Sequence, residues 1–312
     1  MCRHRQRPHL AILWIVPATR LPDLPSDTAL AAQPLVRTDP LGVALPLVLD
    51  SPHSGSVYPP DFGAAVPLEH LRRGEDRFVD ELFALAPQHG AVLIAARFPR
   101  SYIDPNRLDS DIDLALLEEP WPHETLPSLA GERGFGLVWR LLDVERPIYE
   151  RRLSVVELRS RIERFWRPYH QALQSALDDA HQRHGQVWHL NCHSMWSVGP
   201  PTGSDPGAIR PDFVLGDRRG SACAPEFTGV VEAALRSMGY SVALNEPFQG
   251  AELVARHGRP AQGRHSLQIE VKRSLYMDED TLEPHEGFAT LQADLGQLTA
   301  KVAEFVRRNV AN

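Results

Sequence analysis

Two histidines in this chain occupy positions where enzymes commonly place their chemistry. His193 follows the apolar run Val187–Leu190, and the motif around it reads Asn-Cys-His-Ser. His53 follows a similar run, Leu47–Asp50, in the motif Ser-Pro-His-Ser-Gly. Such runs are typical of buried strands, and α/β enzymes bind ligands at the carboxyl ends of their strands. Together with a carboxylate, the two histidines would form a zinc site with an open fourth position for water.

Apolar runs and amphipathic segments alternate along the chain from Leu41 onward. The runs predict strands at Leu47–Leu49, Ala91–Ala96, Val187–Asn191, Asp212–Leu215, Ser241–Leu244 and Ser266–Val271. The amphipathic segments predict helices at Asp76–Ala86, Val155–His184, Ala224–Met238 and Glu286–Asn312, the second kinked or split by Pro168. This alternation indicates a single α/β domain over residues 41–312, with a mostly parallel mixed sheet flanked by helices on both faces.

The composition argues against two classes of partner. The formal net charge is −7, so the chain carries no basic footprint for nucleic acid. No apolar run approaches the roughly 18 residues that a membrane-spanning helix needs. The cysteines Cys2, Cys192 and Cys223 show no paired spacing. We therefore expect a protein of the reducing cytoplasm without a disulfide framework.

The first 40 residues differ from the rest of the chain. A basic start precedes the apolar run Leu10–Ala18, and a Pro-rich stretch follows as far as Pro40. This order superficially resembles a secretory signal, but the run is short and contains Trp14 and Pro17. We expect residues 1–40 to be a disordered extension, or to lie upstream of the true start codon.

Several motifs occur in an order that resembles the N-formylglutamate amidohydrolase family. They are Ser51-Pro52-His53-Ser54-Gly55, Asp76-Arg77-Phe78-Val79-Asp80-Glu81-Leu82, Asp104-Pro105-Asn106-Arg107, Asn191-Cys192-His193-Ser194, Leu267-Gln268-Ile269-Glu270-Val271 and Tyr276-Met277-Asp278-Glu279. The resemblance extends from about Leu47 to the last helix, and Pro105 departs from it where an aliphatic residue is more usual. It implies a phosphorylase/hydrolase-like α/β fold, similar to zinc carboxypeptidases. The implied activity is hydrolysis of N-formyl-L-glutamate, a small anionic N-acyl amino acid, to glutamate and formate in histidine breakdown.

The same resemblance bears on the metal ligands. His53 and His193 are the natural nitrogen ligands for zinc, and the third ligand is either Glu75 or Asp76. Asp76 aligns with the acidic residue of the family motif and begins a predicted helix, which favours it. Taken alone, Asp76 could equally be a first-turn acid of that helix, and His53 a turn residue. His189 is expected in the core or beside the ligands.

Glu270 is the candidate general acid/base. It lies in the apolar run Leu267–Val271, where a carboxylate is costly unless it has a function or a partner. Strand alternation places Gln268 on the same face as Glu270. The alternative is an ion pair with Lys272 or Arg273. Amide hydrolysis needs a group that moves a proton from water to the leaving amine, and we assign Glu270 to that step.

An anionic substrate calls for an arginine, whose planar fork binds a carboxylate bidentately. Asn106 and Arg107 are the candidate pair, and they resemble the carboxylate-binding Asn-Arg of zinc carboxypeptidases. Arg100 is a second candidate, for the other carboxylate or for an oxyanion. Asp104 is expected to hold an arginine through a salt bridge. The basic segment Arg256–Arg264 either closes over an anionic ligand or is a solvated loop.

Three other interpretations remain open at this point. A zinc hydrolase could act on another N-acyl amino acid or on a peptide C-terminus. Cys192 could be a nucleophile, but neighbouring residues of a strand point to opposite faces, so Cys192 and His193 would make a poor dyad. A binding protein for acidic metabolites could keep the same pocket without catalysis, although it would have no need of Glu270.

Overall fold

The apolar runs of the chain form one mixed sheet in the computed structural model, which describes residues 32–143, 145–201 and 203–310. The strands are β1 (Leu35–Thr38), β2 (Leu47–Ser51), β3 (Val92–Ala96), β4 (Val187–Met195), β5 (Phe213–Gly216), β6 (Val242–Leu244) and β7 (Arg264–Lys272). Their order is β1-β3-β2-β4-β7-β5-β6. Strands β3, β2, β4 and β7 run parallel, whereas β1 and β5 pair antiparallel with β3 and β7.

Helices connect these strands. They are α1 (Leu68–Leu71), α2 (Val79–Leu82), α3 (Leu129–Glu132), α4 (Val155–Arg161), α5 (Arg167–His184), α6 (Pro225–Ser237), α7 (Glu252–His257) and α8 (Gly287–Val310), and a π-helical turn over Ile162–Trp166 joins α4 to α5. Within the described ranges, no helix has the length and apolar character that crossing a membrane would require.

The core lies on both faces of the sheet because side chains alternate along each strand. Leu49 of β2 belongs to a cluster that includes Phe227 of α6 and Leu298 of α8. The next residue back, Val48, belongs to a second cluster with Leu173 of α5. The predicted α/β fold, with a mostly parallel mixed sheet and helices on both faces, is thereby confirmed.

The register of the central strands brings the polar residues of the site together. Asp50 of β2 pairs with Asn191 of β4. Further along β4, His193 pairs with Glu270 of β7. Because β2, β4 and β7 are parallel neighbours, their carboxyl ends meet at one edge of the sheet. The loop after β2, which carries His53, begins at that edge.

Two predictions about local structure were wrong. The helix predicted at Asp76–Ala86 shrinks to the single turn of α2, because Phe78 adopts a left-handed backbone conformation (φ 63°) that ends any helix upstream. Asp76 is instead held by its own N–H, which donates to the carbonyl of His53 at 2.9 Å. Part of the expected N-terminal extension, Leu35–Thr38, is the edge strand β1 and pairs with β3. Residues 1–31 lie outside the described residues.

The long helix predicted at Val155–His184 is interrupted in the way that its proline suggests. The π-helical turn Ile162–Trp166 precedes Pro168, which lies in the first turn of α5. Proline has no N–H to donate to the preceding turn, so the helix accommodates it by a local change of hydrogen bonding. The interruption sets which side chains of α5 face the sheet edge.

The central strand predicts a contrast between two leucine substitutions. Leu190 in β4 is fully buried, whereas Leu129 in α3 is 65% exposed. Leu190→Ala should lower the free energy of unfolding by about 2–5 kcal/mol, because it removes core contacts and leaves a cavity. Leu129→Ala, the matched control, should change it by less than about 0.5 kcal/mol. Urea unfolding measures both, and equal losses would contradict this description of the core.

Candidate active site

Three side chains from separate segments converge at the carboxyl edge of the sheet. They are His53 from the loop after β2, Asp76 from the loop before α2, and His193 near the end of β4. Their donor atoms all lie within 4.8 Å of one another, and the three residues are buried. Asp76 Oδ2 lies 3.3 Å from His53 Nδ1 and 3.0 Å from His193 Nδ1. These are the three residues that the sequence predicts as metal ligands.

The two spacings to Asp76 are close to those between donor atoms of a tetrahedral metal site. In a tetrahedral site with bonds of about 2.1 Å, neighbouring donor atoms lie roughly 3.4 Å apart. Burial lowers the pKa of His193, which keeps the imidazole neutral as a ligand must be. Burial alone would raise the pKa of Asp76, but hydrogen bonds with His193 and His53 hold it well below its usual value. The donor set is therefore two imidazoles and one carboxylate.

The far side of each imidazole is held by an acceptor. His53 Nε2 lies 2.8 Å from Asp104 Oδ1, and His193 Nε2 lies 2.8 Å from Asn191 Oδ1. Both acceptors require the proton to be on Nε2, which leaves the Nδ1 lone pairs directed toward Asp76. Oriented imidazoles of this kind are the usual outer shell of a metal site, where they fix the tautomer and the ring plane.

Asp76, rather than its neighbour Glu75, completes the cluster. Arg273 donates to Asp76 Oδ1 at 3.1 Å and to the Glu75 carbonyl at 2.6 Å. The Glu75 side chain is bound elsewhere, because the hydroxyl of Tyr58 donates to its Oε1 at 2.5 Å. The sequence suggests Arg273 only as a possible ion-pair partner of Glu270. No local pattern connects it to Asp76, since the two are 197 residues apart in the sequence.

Glu270 lies beside the cluster on β7, opposite His193 in the strand register. Gln268 donates to Glu270 Oε1 at 2.9 Å, which confirms that the two share a face. Lys272 pairs with Asp212 instead of Glu270. Among the described residues, no lysine or arginine forms a salt bridge with Glu270. Burial, followed by the charge of Asp76, raises the pKa of this carboxyl well above its usual value.

Arg100 and Asp104 form the salt bridge expected at this loop. Two nitrogens of Arg100, Nε and Nη2, donate to Asp104 Oδ2 at 3.1 and 2.9 Å. The guanidinium also lies 5.0 Å from the centroid of the Trp139 ring. Burial would raise the pKa of Asp104, but the charge of Arg100 and the hydrogen bond with His53 keep it well below its usual value. Asp104 thus links an arginine of the site to a ligand histidine.

Asn106 and Arg107 follow on the same loop and differ in what they offer a ligand. Asn106 Oδ1 accepts from the N–H of Leu253 at 2.9 Å, and its Nδ2 lies 3.2 Å from His193 Nε2. The oxygen of this side chain is therefore engaged within the protein, and its nitrogen lies against the ring edge of His193. Arg107 donates from Nε to the carbonyl of Phe135 and from Nη1 to that of Asn106, each at 3.1 Å. Its guanidinium also forms a long salt bridge, with Nε 3.9 Å from Asp111 Oδ2.

A buried network centred on Asp50 underlies the histidines. Asp50 Oδ1 lies 2.8 Å from His189 Nε2 and accepts from Asn191 Nδ2 at the same distance. Tyr169 donates its hydroxyl hydrogen to Asp50 Oδ2 at 2.7 Å. These bonds fix the Asn191 amide so that its oxygen faces His193. The prediction that His189 lies in the core is confirmed. The sequence marks Asp50 only as the last residue of an apolar run and gives no sign of this network.

The other candidates are remote from this chemistry. Cys192 is buried in a core cluster with Leu190, and burial raises the pKa of its thiol well above the usual value. A thiol in that state is not a nucleophile. In the basic segment, Arg256 pairs with Glu252, and Arg264 pairs with Asp178. Arg256 is thus paired within α7, and Arg264 is paired with α5.

Comparisons with known proteins agree with this geometry. A family model described as N-formylglutamate amidohydrolase matches residues 45–277. Proteins named N-formylglutamate deformylase from Pseudomonas putida and Pseudomonas aeruginosa are 31% and 29% identical over 263 residues, covering 83% of this chain and 89% and 90% of theirs.

Solved structures extend the comparison to the fold. The crystal structure of N-formylglutamate amidohydrolase from Ralstonia eutropha JMP134 is 51% identical, with a TM-score of 0.84 over 88% of this chain and 99% of that one. A protein of Agrobacterium tumefaciens that is only 16% identical shares the fold, with a TM-score of 0.63 over 89% and 98% of the two chains. The chain belongs to the N-formylglutamate amidohydrolase family.

Proposed function

We propose that this protein hydrolyses N-formyl-L-glutamate to L-glutamate and formate with a zinc ion held by His53, Asp76 and His193. The observation that carries the proposal is the convergence of these three donors beside Glu270 in a member of this family. The substrate follows the names of the Pseudomonas relatives. The direct test is release of formate and glutamate from N-formylglutamate by purified protein, before and after removal of metal with a chelator.

The groups of the site would have different roles in hydrolysis. A zinc ion bound here would act as a Lewis acid and lower the pKa of water toward about 7. Glu270 is placed to accept a proton from the attacking water and to deliver it to the nitrogen that leaves. Asp104 and Asn191 keep the two imidazoles oriented throughout.

Arginines would bind the substrate. N-formylglutamate has two carboxylates, and Arg107 and Arg100 carry guanidinium groups on the loop that also supports the histidines. We propose Arg107 as the clamp for one carboxylate, with Arg100 serving the other carboxylate or the developing oxyanion. Asn106, predicted from the sequence to bind substrate, contacts His193 and Leu253 and acts by supporting them.

We further propose a cytoplasmic enzyme of histidine breakdown that acts on a small anionic substrate. The thiols of Cys192 and Cys223 are free, as in proteins of reducing compartments. The site is built for a small molecule, because its polar groups are buried and gathered within one edge of the sheet.

Removal of one ligand should remove the metal. His193→Ala takes away one of three donors, so we expect it to lose both zinc and activity. Glu75→Gln is the matched control: it lies beside Asp76, but its side chain contacts Tyr58, so zinc should be retained. Metal analysis of both proteins measures the ratio of zinc to protein. Near-stoichiometric zinc in His193→Ala would contradict the ligand assignment.

Glu270→Gln separates an enzyme from a binding protein. The substitution keeps the shape and an oxygen for Gln268, so zinc content and substrate binding should stay close to wild type. Turnover should fall by about 10²–10⁴-fold, the usual contribution of a positioned acid/base. Steady-state kinetics and metal analysis measure these effects, with the partly exposed Glu232→Gln as a control for charge removal. Loss of zinc would instead make Glu270 a ligand, and unchanged turnover would place the base elsewhere.

Substitution by lysine should affect zinc binding differently at Arg107 and at Arg100. Arg107→Lys keeps the charge but loses the fork, so KM should rise while zinc is retained. Arg100→Lys should raise KM and also weaken zinc binding, because Arg100 supplies two hydrogen bonds to the carboxylate that orients His53. Kinetics and zinc titration measure both effects. An unchanged KM in Arg107→Lys would assign the clamp to another cation.

A further inference from the structure

Two ring N–H groups donate hydrogen bonds to the loop Asp104–Arg107, which lies beside the proposed metal ligands. The indole Nε1 of Trp166 donates to the carbonyl of Arg107 at 3.0 Å. Nε2 of His170 donates to the carbonyl of Pro105 at 2.8 Å. These carbonyls lie on either side of Asn106 in the sequence. The main chain of the loop is therefore fixed immediately before and immediately after Asn106.

Trp166 and His170 are themselves rigidly held. They lie one turn apart, and their rings stack with centroids 3.7 Å apart and planes inclined by 25°. Both residues are buried, and the guanidinium of Arg256 lies 5.6 Å from the Trp166 ring. Burial, followed by the charge of Arg256, lowers the pKa of His170 to about 3. The imidazole is neutral, and because a carbonyl can only accept, its proton is on Nε2.

The loop Asp104–Arg107 contacts both His53 and His193. Asp104 accepts from His53 and from the N–H of Asn106, each at 2.8 Å from its Oδ1. Asn106 lies against His193 and accepts from Leu253 at the start of α7. A shift of this loop would therefore move the acceptor of His53 and the Asn106 side chain that lies against His193.

We propose that Trp166 and His170 are positioning residues that hold the loop from Asp104 to Arg107 and thereby set the orientation of His53 and His193 for zinc. The inference rests on the zinc part of the proposed function and adds residues beyond those that touch the ligands.

Three substitutions separate the hydrogen bonds from the packing. His170→Phe keeps a ring for stacking and loses the donor, whereas His170→Gln loses the ring and keeps a donor at a similar reach. Trp166→Phe keeps an aromatic ring and loses the indole N–H. Leu173→Ala, in the same helix and fully buried, is the control for general destabilisation.

The first readout is amide hydrogen exchange in the metal-free protein, followed over residues 103–108. Loss of one hydrogen bond should speed exchange there by roughly three- to tenfold in His170→Phe and Trp166→Phe. The second readout is zinc affinity by competition with a chelator. It should weaken by roughly three- to tenfold, below the ~10–100-fold typical of groups that contact a ligand directly. His170→Gln should stay near wild type in both measurements.

A double substitution tests the route of the effect. Asn106→Ala removes the contact with His193 but keeps the support of His53 by Asp104, so adding His170→Phe should lower zinc affinity by less than the product of the two single losses. Fully additive losses would overturn the proposed route through Asn106. Wild-type exchange and affinity in both phenylalanine variants, or equal losses in Leu173→Ala, would overturn the proposal. Zinc binding without cleavage of N-formylglutamate would contradict the proposed function and leave this inference standing.

Discussion

The carboxylate of Asp76 is the group on which the rest of the site depends. Its Oδ2 faces the Nδ1 atoms of both His53 and His193, and its Oδ1 accepts from Arg273. A buried carboxylate is costly unless charge and hydrogen bonds compensate it. Here the compensation comes from segments that are distant in the sequence, so the site can form only when the sheet and its loops are assembled. Arg273 also donates hydrogen bonds to the carbonyls of Arg73 and Glu75, which fixes the loop that carries Asp76.

The sheet can hold buried polar residues because its register places them side by side on neighbouring strands. Asp50, Asn191 and Gln268 stand side by side on three parallel strands, and one step further His193 stands beside Glu270. Asp50, for example, finds partners both on the neighbouring strand, in Asn191, and on α5, in Tyr169. A satisfied network of this kind rigidifies its members. The same residues that interrupt the apolar pattern therefore hold the ligands.

The parts that could be predicted from the sequence are those with local signals. Apolar runs gave the central strands, and strand alternation gave the shared face of Gln268 and Glu270. The short helix at α2 was missed because the left-handed backbone of Phe78 leaves no mark in composition. Strand β1 was missed because its four residues are largely exposed and sit at the edge, where pairing with β3 alone defines them. The pairing of Arg273 with Asp76 is a long-range contact, which no pattern of neighbouring residues encodes.

Asp104 shows how one buried group can couple two functions of a site. Its Oδ1 fixes the ring of His53, while its Oδ2 receives two hydrogen bonds from Arg100. Burial disfavours its charge, and the charge of Arg100 together with the hydrogen bond to His53 restores it. The orientation of the His53 ring thus depends, through Asp104, on Arg100.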